Sequence, residues 1–430
     1  MHRLCSLLGM PQRRFASIHV VGTNGKTSVA LMAAALLEAQ GVRSGSYTSP
    51  HIRDWRERIR IGGEPISEDA FVGALERAEQ AAVAADRKAP EDEGPVTQFE
   101  LVTAAAFVAF AEARVKIAVI EAGLGGRLDA TNVIPSKLTV LTSVGLDHTE
   151  WLGDTLQEIA AEKLAVLRDH TPLVRGEVPE EVEPVIAREV ATRHAPEVQP
   201  EAIMGGAGPP GDESLPAIRG YQQLNLALAW PAAQLALGRS DPPDLVEAVK
   251  ALTGLRNPGR AQVIDGDPPQ IFDAAHNPDG ARALADLLPE LLPLADRPQR
   301  RVRLFRRMRG KRLQSPSVAR EIVCCLAVLA EKDARGIVEA LAPACARFVC
   351  TEIPVEAIRG SGRPVGESHA AATLVELCRE AGAEAEAIAD PLEAWARAKE
   401  LARERDAAAL AAGSHYLLSC LWTERPVPSY

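Results

Sequence analysis

Residues 17–39, SIHVVGTNGKTSVALMAAALLEA, pass from a β-branched run through a glycine-containing loop into a run of helix-forming residues. This order predicts a strand over 17–21, a loop that opens at Gly22 and a helix over 28–39. The alternation continues, with predicted helices at 101–113 and 155–167 and predicted strands at 116–121 and 138–143. Because strands that alternate with helices form parallel sheets covered on both faces, this part of the chain is predicted to be α/β.

A second α/β series begins after LRNPG at residues 255–259, a proline-glycine sequence typical of a hinge between domains. Strands are predicted at 270–273, 325–329, 347–351 and 408–411, and helices at 280–288, 334–341, 370–381 and 391–405. The stretches 89–96 and 204–216, which contain several prolines and glycines, are predicted loops. We expect two domains: a larger one over 1–256 with a mostly parallel sheet, and a smaller Rossmann-like one over 257–430.

The composition is that of a globular protein, with 430 residues, 47% hydrophobic and 25% charged. No apolar run approaches the ~18 residues that cross a bilayer, and the first residues lack a signal-peptide pattern, so we expect a cytoplasmic protein without a membrane partner. The net charge of -10 argues against nucleic acid bound by bulk electrostatics. Seven cysteines without C-x-x-C spacing indicate neither a disulfide framework nor a zinc ribbon, and Cys324 and Cys325 are expected in a core strand.

The loop between the first predicted strand and helix has the context of a phosphate-binding loop. It consists of Gly22, Thr23, Asn24, Gly25, Lys26, Thr27 and Ser28. Backbone N–H groups and the helix N-terminus can hold phosphates, Lys26 can reach the outer ones, and a hydroxyl of Thr27 or Ser28 can bind magnesium. The G-x-x-G-K spacing is shorter than the usual G-x-x-x-x-G-K, so a simple tight turn is the alternative. The combination favours ATP binding.

Two polar residues follow neighbouring predicted strands. Glu121 closes the strand KIAVIE, and His148 follows the next strand within GLDH. Ligands bind at the carboxyl edge of open parallel sheets, so both residues are candidates to hold magnesium there. The alternatives are a surface salt bridge for Glu121 and a structural role for His148. For Lys163, in the predicted helix at 155–167, the pattern alone favours a solvated lysine with i,i+4 partners.

In the second half, Arg260 directly follows the hinge, and the sequence FDAAHNP runs from a strand end into a helix start. An arginine at a domain junction can complete a nucleotide site, because its planar fork suits phosphate; a purely structural tie is the alternative. Asp273 and His276 can equally belong to a capped turn, with Asn277 and Pro278 starting the helix.

The segment 300–312, RRVRLFRRMRGKR, carries eight cations and no acid. A solvated or disordered insertion is the favoured interpretation, because a block of like charge repels itself. An anion or nucleic-acid contact is the alternative.

Together these motifs resemble the dihydrofolate synthase and folylpolyglutamate synthase family, within the Mur ligase group of ATP-dependent amide-bond ligases. The resemblance covers most of the chain. It rests on GTNGKTS at Gly22, TSPH at Thr48, EAGLGGRLDATN at Glu121, GLDHTEWLG at Gly145, EK ending at Lys163, PGR at Pro258 and DAAHNP at Asp273. It implies a Mur-ligase-like ATP-binding domain over 1–256 and a C-terminal glutamate-ligase domain over 257–430.

The resemblance also implies residue roles. The loop at Gly22 would hold the ATP phosphates, with Ser28 facing the first Mg²⁺, while Glu121 would bridge the metals and Ser49 and His148 would bind a second Mg²⁺. Lys163 matches a lysine that becomes a carbamate. In the nucleotide site Asn225 would contact the nucleotide, Arg260 the γ-phosphate and Asp273 the ribose, with His276 lining the same cleft. The segment 49–60 resembles the family's pterin-side loop.

The implied reaction is the addition of L-glutamate to dihydropteroate or to the γ-carboxylate of a folate, through an acyl phosphate made from ATP. We expect a monomer whose partners are these small molecules. The sequence departs from the family pattern in its few residues ahead of the loop strand, in Thr27 where glycine is usual, and in the basic segment at 300–320. Alternatives are a Mur-type ligase of another carboxylate, or a non-catalytic nucleotide-binding relative with the basic segment as an RNA contact.

Overall fold

The computed structural model describes residues 1–90, 94–200, 218–239, 244–295, 321–360 and 366–422. It divides into two compact units, Met1–Ile218 with Gln222–Arg256, and Arg219–Tyr221 with Asn257–Ser429. The predicted loop at 204–216 and the basic segment at 300–312 lie outside the described residues, as do residues 91–93 of the predicted loop at 89–96.

The first unit is built on an eight-stranded sheet with the strand order β4-β3-β2-β5-β1-β6-β7-β8. Its strands are β1 (Ala16–Val21), β2 (Ser44–Tyr47), β3 (Ile59–Ile61), β4 (Glu64–Pro65), β5 (Ile117–Glu121), β6 (Leu138–Leu141), β7 (Leu173–Arg175) and β8 (Glu197–Val198). The β2–β3 and β3–β4 pairs are antiparallel and the others parallel. Val20 of β1 pairs with Glu121, and Val21 pairs with Leu141, so three strands end side by side.

Helices cover this sheet. They are α1 (His2–Leu7), α2 (Lys26–Ala39), α3 (Glu68–Asp86), α4 (Gln98–Glu112), α5 (Thr149–Leu152), α6 (Leu156–Leu164), α7 (Glu183–Arg193), α8 (Tyr221–Leu237) and α9 (Leu245–Thr253). The helix predicted at 155–167 starts with a capping box between Thr155 and Glu158 but ends at Leu164. It ends early because Val166 and Leu167 turn into the core, where both are buried.

The second unit has a six-stranded sheet with the order β13-β12-β11-β14-β10-β9, and only the edge strand β9 pairs antiparallel. The strands are β9 (Gln262–Ile264), β10 (Gln270–Phe272), β11 (Ile322–Leu326), β12 (Arg347–Cys350), β13 (Glu384–Ala387) and β14 (Ala408–Ala412). Its helices are α10 (Pro278–Ala295), α11 (Ala334–Leu341), α12 (Val355–Gly360), α13 (Ala371–Glu380), α14 (Pro391–Glu404) and α15 (His415–Leu421).

The predicted α/β class with mostly parallel sheets is confirmed in both units. The strand predicted at 325–329 lies three residues earlier, at Ile322–Leu326, and the core positions of Cys324 and Cys325 are confirmed because both are fully buried. The helix predicted at 280–288 is longer, because the Asn277 side chain accepts a hydrogen bond from Gly280 N and starts the helix at Pro278.

All seven cysteines are free. In the described part of the chain, every helix is too short or too polar to span a membrane.

Two sheet edges have distinctive sequences. The edge strand β4 consists of Glu64 and Pro65, both exposed. The edge strand β13 carries Glu384 and Glu386, which lie 3.5 Å from the guanidinium of Arg347 on β12.

Candidate active site

The loop between β1 and α2 requires glycine at two positions. Gly22 and Gly25 have φ values of 149° and 84°, in the region that L side chains rarely adopt. A side chain at Gly22 would collide with Thr142, and one at Gly25 would collide with the Asn225 amide oxygen. Asn225 therefore lies directly against the loop, and its own Nδ2 donates to Gln222 at 3.1 Å.

Hydrogen bonds tie this loop to the chain that follows β6. Thr23 N donates to Ser143 O at 2.9 Å, Asn24 N donates to Ser143 Oγ at 2.9 Å, and Thr142 Oγ1 donates to Asn24 O at 2.6 Å. Because side chains and backbone of two adjacent strand ends share these bonds, the loop is held rigidly before any ligand arrives.

Two lysines converge on one carbonyl oxygen. Lys26 Nζ donates to Gly22 O at 2.9 Å, and Lys163 Nζ donates to the same oxygen at 3.1 Å. The solvated lysine that the helix pattern favours is wrong, because Lys163 is only 4% exposed. Burial and, second, the charge of Lys26 lower the pKa of Lys163 to about 7, whereas Asp147 and Asp129 act in the opposite direction.

Glu121 lies at the end of β5, and the surface salt bridge that its sequence position allowed is wrong because the residue is 1% exposed. The Thr27 hydroxyl lies 3.1 and 3.0 Å from its two carboxylate oxygens, and Ser49 N donates to Oε2 at 3.1 Å. The structure thus brings Thr27 and Ser49 to Glu121. Ser28, in the first turn of α2, is buried.

His148 begins α5 with a left-handed backbone, at φ 52°. Its Nε2 and Nδ1 lie 3.9 Å from the carboxylates of Asp147 and Glu150. Sequence reasoning missed Asp147, which acts on both His148 and Lys163. Its position next to His148 at a strand end was the available signal.

In the second unit, Asp273 follows β10, is buried and accepts three hydrogen bonds. Tyr221 OH donates to Oδ2 at 2.5 Å, Ala261 N donates to Oδ2 at 2.7 Å, and Ala275 N donates to Oδ1 at 2.8 Å. Burial raises the pKa of Asp273, while the hydrogen bond from Tyr221 and the charge of Arg260 act against that rise.

Arg260 lies against a histidine that sequence reasoning missed. Its Nη1 and Nη2 are 3.4 and 3.3 Å from Nδ1 and Nε2 of His415, and the His415 ring is 5.3 Å from the ring of His276. His276 Nδ1 donates to Ala274 O at 2.9 Å. The structure therefore groups Arg260, His276 and His415 at the carboxyl ends of β10 and β14.

The donor set of the first unit fits a nucleotide-bound magnesium ion. Glu121 and the hydroxyl of Thr27 are hard oxygen ligands, which Mg²⁺ prefers. Within the described residues, no group of three or more His, Cys, Asp or Glu side chains is arranged to enclose a metal. Mg²⁺ commonly uses one or two carboxylates together with substrate phosphates rather than a protein cage.

Comparison with known proteins gives the family. Residues 20–174 match the Mur ligase middle domain, and residues 259–415 match the Mur ligase glutamate ligase domain. The dihydrofolate synthase/folylpolyglutamate synthase of Mycobacterium tuberculosis is 34% identical over 377 residues, which cover 81% of this chain and 72% of that protein. The chain belongs to the dihydrofolate synthase/folylpolyglutamate synthase family.

Other members of this family agree in sequence and in structure. The Bacillus subtilis dihydrofolate synthase/folylpolyglutamate synthase is 34% identical, covering 67% of this chain and 71% of the relative. The crystal structure of M. tuberculosis folylpolyglutamate synthase complexed with ADP and AMPPCP has a TM-score of 0.79 and 28% identity, covering 97% of this chain and 93% of that chain. A Yersinia pestis bifunctional synthase complexed with AMPPNP and a Mn ion gives a TM-score of 0.74 and 26% identity, covering 97% and 90%.

Proposed function

We propose that this protein is an ATP- and Mg²⁺-dependent ligase that adds L-glutamate to dihydropteroate, to the γ-carboxylate of folates, or to both. The observation that carries the proposal is the convergence of Lys26 and Lys163 on Gly22 O beside Glu121, in a chain of the folate synthase family. Two neighbouring lysines next to a carboxylate suit a site that transfers a phosphoryl group.

In the first unit, backbone N–H groups of the loop at Gly22 and the N-terminus of α2 would bind the ATP phosphates. Lys26 would leave Gly22 O for a phosphate oxygen, and Asn225 would contact the nucleotide from its place beside Gly25. Glu121, with a hydroxyl, would hold the first Mg²⁺. Of the two candidate hydroxyls, the contacts to Glu121 favour Thr27 over the Ser28 that the family pattern implies.

A second Mg²⁺ site is proposed from Ser49, Glu121 and His148. Ser49 N already donates to Glu121, so the two residues are close. When bound, the metals would offset the negative charge that builds up on the transferring phosphoryl group. His148 would approach as a neutral imidazole, the form of histidine that binds metals.

We propose that Lys163 reacts with CO₂ and becomes a carbamate. An amine must be unprotonated to attack CO₂, and a buried lysine whose pKa is about 7 supplies that form at neutral pH. The change would also replace a repulsion by an attraction, since Lys26 and Lys163 now share one carbonyl. The resulting carboxylate would help to orient the second metal.

In the second unit, Arg260 would bind the γ-phosphate through its planar fork, and Asp273 would bind the ribose. Each carboxylate oxygen accepts about two hydrogen bonds, and Asp273 Oδ1 receives one from Ala275, so it has room for a hydroxyl donor. His276 would line the same nucleotide site. Residues 1–256 are accordingly proposed as the ATP-binding domain and 257–430 as the glutamate-ligase domain.

The acceptor is proposed to be a pterin-containing carboxylate. In the segment 49–60 the His51 and Trp55 rings lie 4.5 Å apart, and the Arg58 guanidinium lies 4.5 Å over Trp55. Such an aromatic and cationic cluster suits a flat heteroaromatic ring with an anionic tail. The sequences TSPH and GLGGRLDATN favour this acceptor over a peptidoglycan precursor.

The carboxylate of the acceptor would attack the γ-phosphorus of ATP, which releases ADP and forms an acyl phosphate. The amino group of glutamate would then attack the carbonyl carbon, and phosphate would leave as the amide forms. Lys26 and Arg260 would stabilise the charge on the phosphoryl group. No side-chain nucleophile takes part, because the nucleophiles are the acceptor carboxylate and then the amino group of glutamate. We expect the protein to act as a cytoplasmic monomer, without a nucleic-acid partner.

The deciding experiment measures phosphate release by the purified chain with ATP, Mg²⁺ and L-glutamate, using dihydropteroate and tetrahydrofolate as parallel acceptors. We expect release only when all components are present, with the glutamylated product seen by mass spectrometry. Turnover without glutamate, or turnover only with a peptidoglycan precursor, would contradict the proposal.

A further inference from the structure

A buried histidine lies beneath the site, where neither the motifs nor the proposed mechanism uses it. His19, in the middle of β1, is fully buried, and its Nε2 lies 2.8 Å from the hydroxyl of Thr131. That hydroxyl lies 2.5 Å from Oδ1 of Asp129. The three side chains form a continuous connection from the central strand of the sheet to the loop that follows β5.

The direction of these hydrogen bonds follows from Asp129. Its carboxylate accepts from the backbone N–H groups of Leu124 and Thr131, both at 2.9 Å, so it acts as an acceptor. The Thr131 hydroxyl therefore donates to Asp129, and His19 Nε2–H donates to the Thr131 oxygen. Burial and, second, the charge of Arg168 lower the pKa of His19 to about 3, so the ring stays neutral with its proton on Nε2.

This connection shapes the chain next to Glu121. Asp129 accepts a hydrogen bond from the backbone N–H of Leu124, and Leu124 is three residues beyond Glu121 in the sequence. The loop is then held from a second side, because Arg168 donates to Asn132 O at 2.6 Å and to Ile134 O at 3.1 Å. Among the described residues, no protein atom bonds His19 Nδ1, so Nε2 alone carries the polar contact of this ring.

We propose that His19 is a positioning residue, which fixes the 122–133 loop through Thr131 and Asp129 and thereby sets the position of the Glu121 carboxylate. The part of this inference that concerns catalysis rests on the proposed function, because it needs Glu121 to hold the metal. The part that concerns the loop does not.

The test uses two isosteric variants that differ in which nitrogen they retain. The amide nitrogen of His19→Gln reaches the place of Nε2, whereas that of His19→Asn reaches only the place of Nδ1. Trypsin cleaves after arginine, and Arg127 lies in this loop next to Leu128, which is 92% exposed. The rate of cleavage after Arg127 therefore measures how firmly the loop is held. We expect His19→Asn to be cut after Arg127 about tenfold faster than the native chain, and His19→Gln at close to the native rate.

A second pair covers the case in which substitutions at His19 unfold the protein. Thr131→Val removes the hydroxyl and Thr131→Ser retains it, so only the valine variant is expected to expose the Arg127 site. In the glutamylation assay, kcat should fall about tenfold in His19→Asn and in Thr131→Val, with the KM for ATP changed less than twofold, because Thr142 and Ser143 hold the phosphate loop independently.

Nitrogen-15 NMR identifies the tautomer of the His19 ring. A residue that only filled space would not require one particular tautomer. The Nε2–H tautomer should persist from pH 5 to 9. An Nδ1–H tautomer, or equal cleavage and equal kcat in both members of each pair, would overturn the inference. If the native chain lacks ligase activity, the proposed function fails, while the cleavage and tautomer results still decide the role of His19 in the loop.

Discussion

The carboxyl edges of the two sheets hold their charged side chains in different ways. At the edge of the first sheet, the buried Lys163 and the partly buried Lys26 share a backbone carbonyl oxygen, and the buried Glu121 ends the neighbouring strand. At the edge of the second, a guanidinium lies against a histidine ring, and a buried carboxylate accepts hydrogen bonds from a tyrosine and two backbone N–H groups. Two lysines share one acceptor at the first edge, whereas at the second a single carboxylate accepts three hydrogen bonds.

This difference indicates a division of labour. Neighbouring lysines beside a carboxylate suit a polyphosphate with its metal. Compensated groups such as Asp273 orient a ligand by directional hydrogen bonds. Substitutions at the first edge should therefore affect the chemical step, and those at the second should affect nucleotide binding more.

The largest effect is expected for Lys163→Ala. Loss of the proposed carbamate should lower kcat by roughly 10²–10³, the range for losing one preorganised electrostatic contact in a transition state. Formate or acetate, which fit the space left by the side chain and carry a carboxylate, should restore part of the rate, whereas bicarbonate should not. The assay is steady-state phosphate release over a range of added acid.

Lys26→Ala is the matched control, because it removes the other lysine at Gly22 O. Its activity should fall by a similar factor. Formate should not restore it, because formate supplies a carboxylate whereas this variant lacks a cation. Near-native activity of Lys163→Ala, or equal rescue of both variants, would remove the carbamate proposal.

Arg260→Ala should lower kcat/KM for ATP by about 10²-fold, because one phosphate-binding fork is lost at the second edge. Arg260→Lys keeps the charge without the fork and should recover only a small part. Formate should restore neither variant. Kinetics that respond to formate as in Lys163→Ala would break the distinction between the two edges.

Tyr221→Phe removes the 2.5 Å hydrogen bond to Asp273 while leaving both backbone donors in place. A hydrogen bond to a charged group contributes about 1.5–3 kcal/mol, so the Kd for ATP should rise by roughly 10- to 100-fold. Isothermal titration calorimetry measures this change, and the melting temperature serves as the folding control. An unchanged Kd together with a lowered kcat would reverse the roles assigned to the two edges.

The smallest effect is expected at Thr27. Thr27→Val removes the hydroxyl beside Glu121, and the Mg²⁺ concentration for half-maximal activity should rise roughly three- to tenfold, since one neutral hydrogen bond contributes about 0.5–1.5 kcal/mol. Thr27→Ser should restore the native value. If Thr27→Val needs no more Mg²⁺ than the native chain, Ser28 is the better candidate hydroxyl.

The sequence was most informative where structure is local. The strand, loop and helix around Gly22 follow from β-branched residues, two glycines and a helix-forming run, and all three are present, although the helix begins two residues earlier than predicted, at Lys26. The early end of α6 and the hairpin of β3 and β4 were not predicted. Short strands such as Ile59–Ile61 carry too few residues for a periodic pattern, and the turn of Val166 into the core depends on the sheet beneath it.

The candidate site shows the same limit. Lys163 looks solvated in its helix pattern, because the pattern cannot say which helix face meets the sheet. His415 and Tyr221 lie 155 and 52 residues from the Arg260 and Asp273 that they contact, so only the folded chain reveals them. The β-branched neighbours of His19 place it in a predicted strand. The sequence does not show that its partner is Thr131, 112 residues away.

The edge strands described above also bear on self-association. A bare sheet edge can pair with the edge of another copy, which is a common route to aggregates. Proline at position 65 offers no N–H to a foreign strand, and a second β13 laid alongside the first would bring its own glutamates against Glu384 and Glu386. These two sheet edges therefore resist the addition of a strand from another copy, β4 through the missing N–H of Pro65 and β13 through glutamates that a second copy would duplicate.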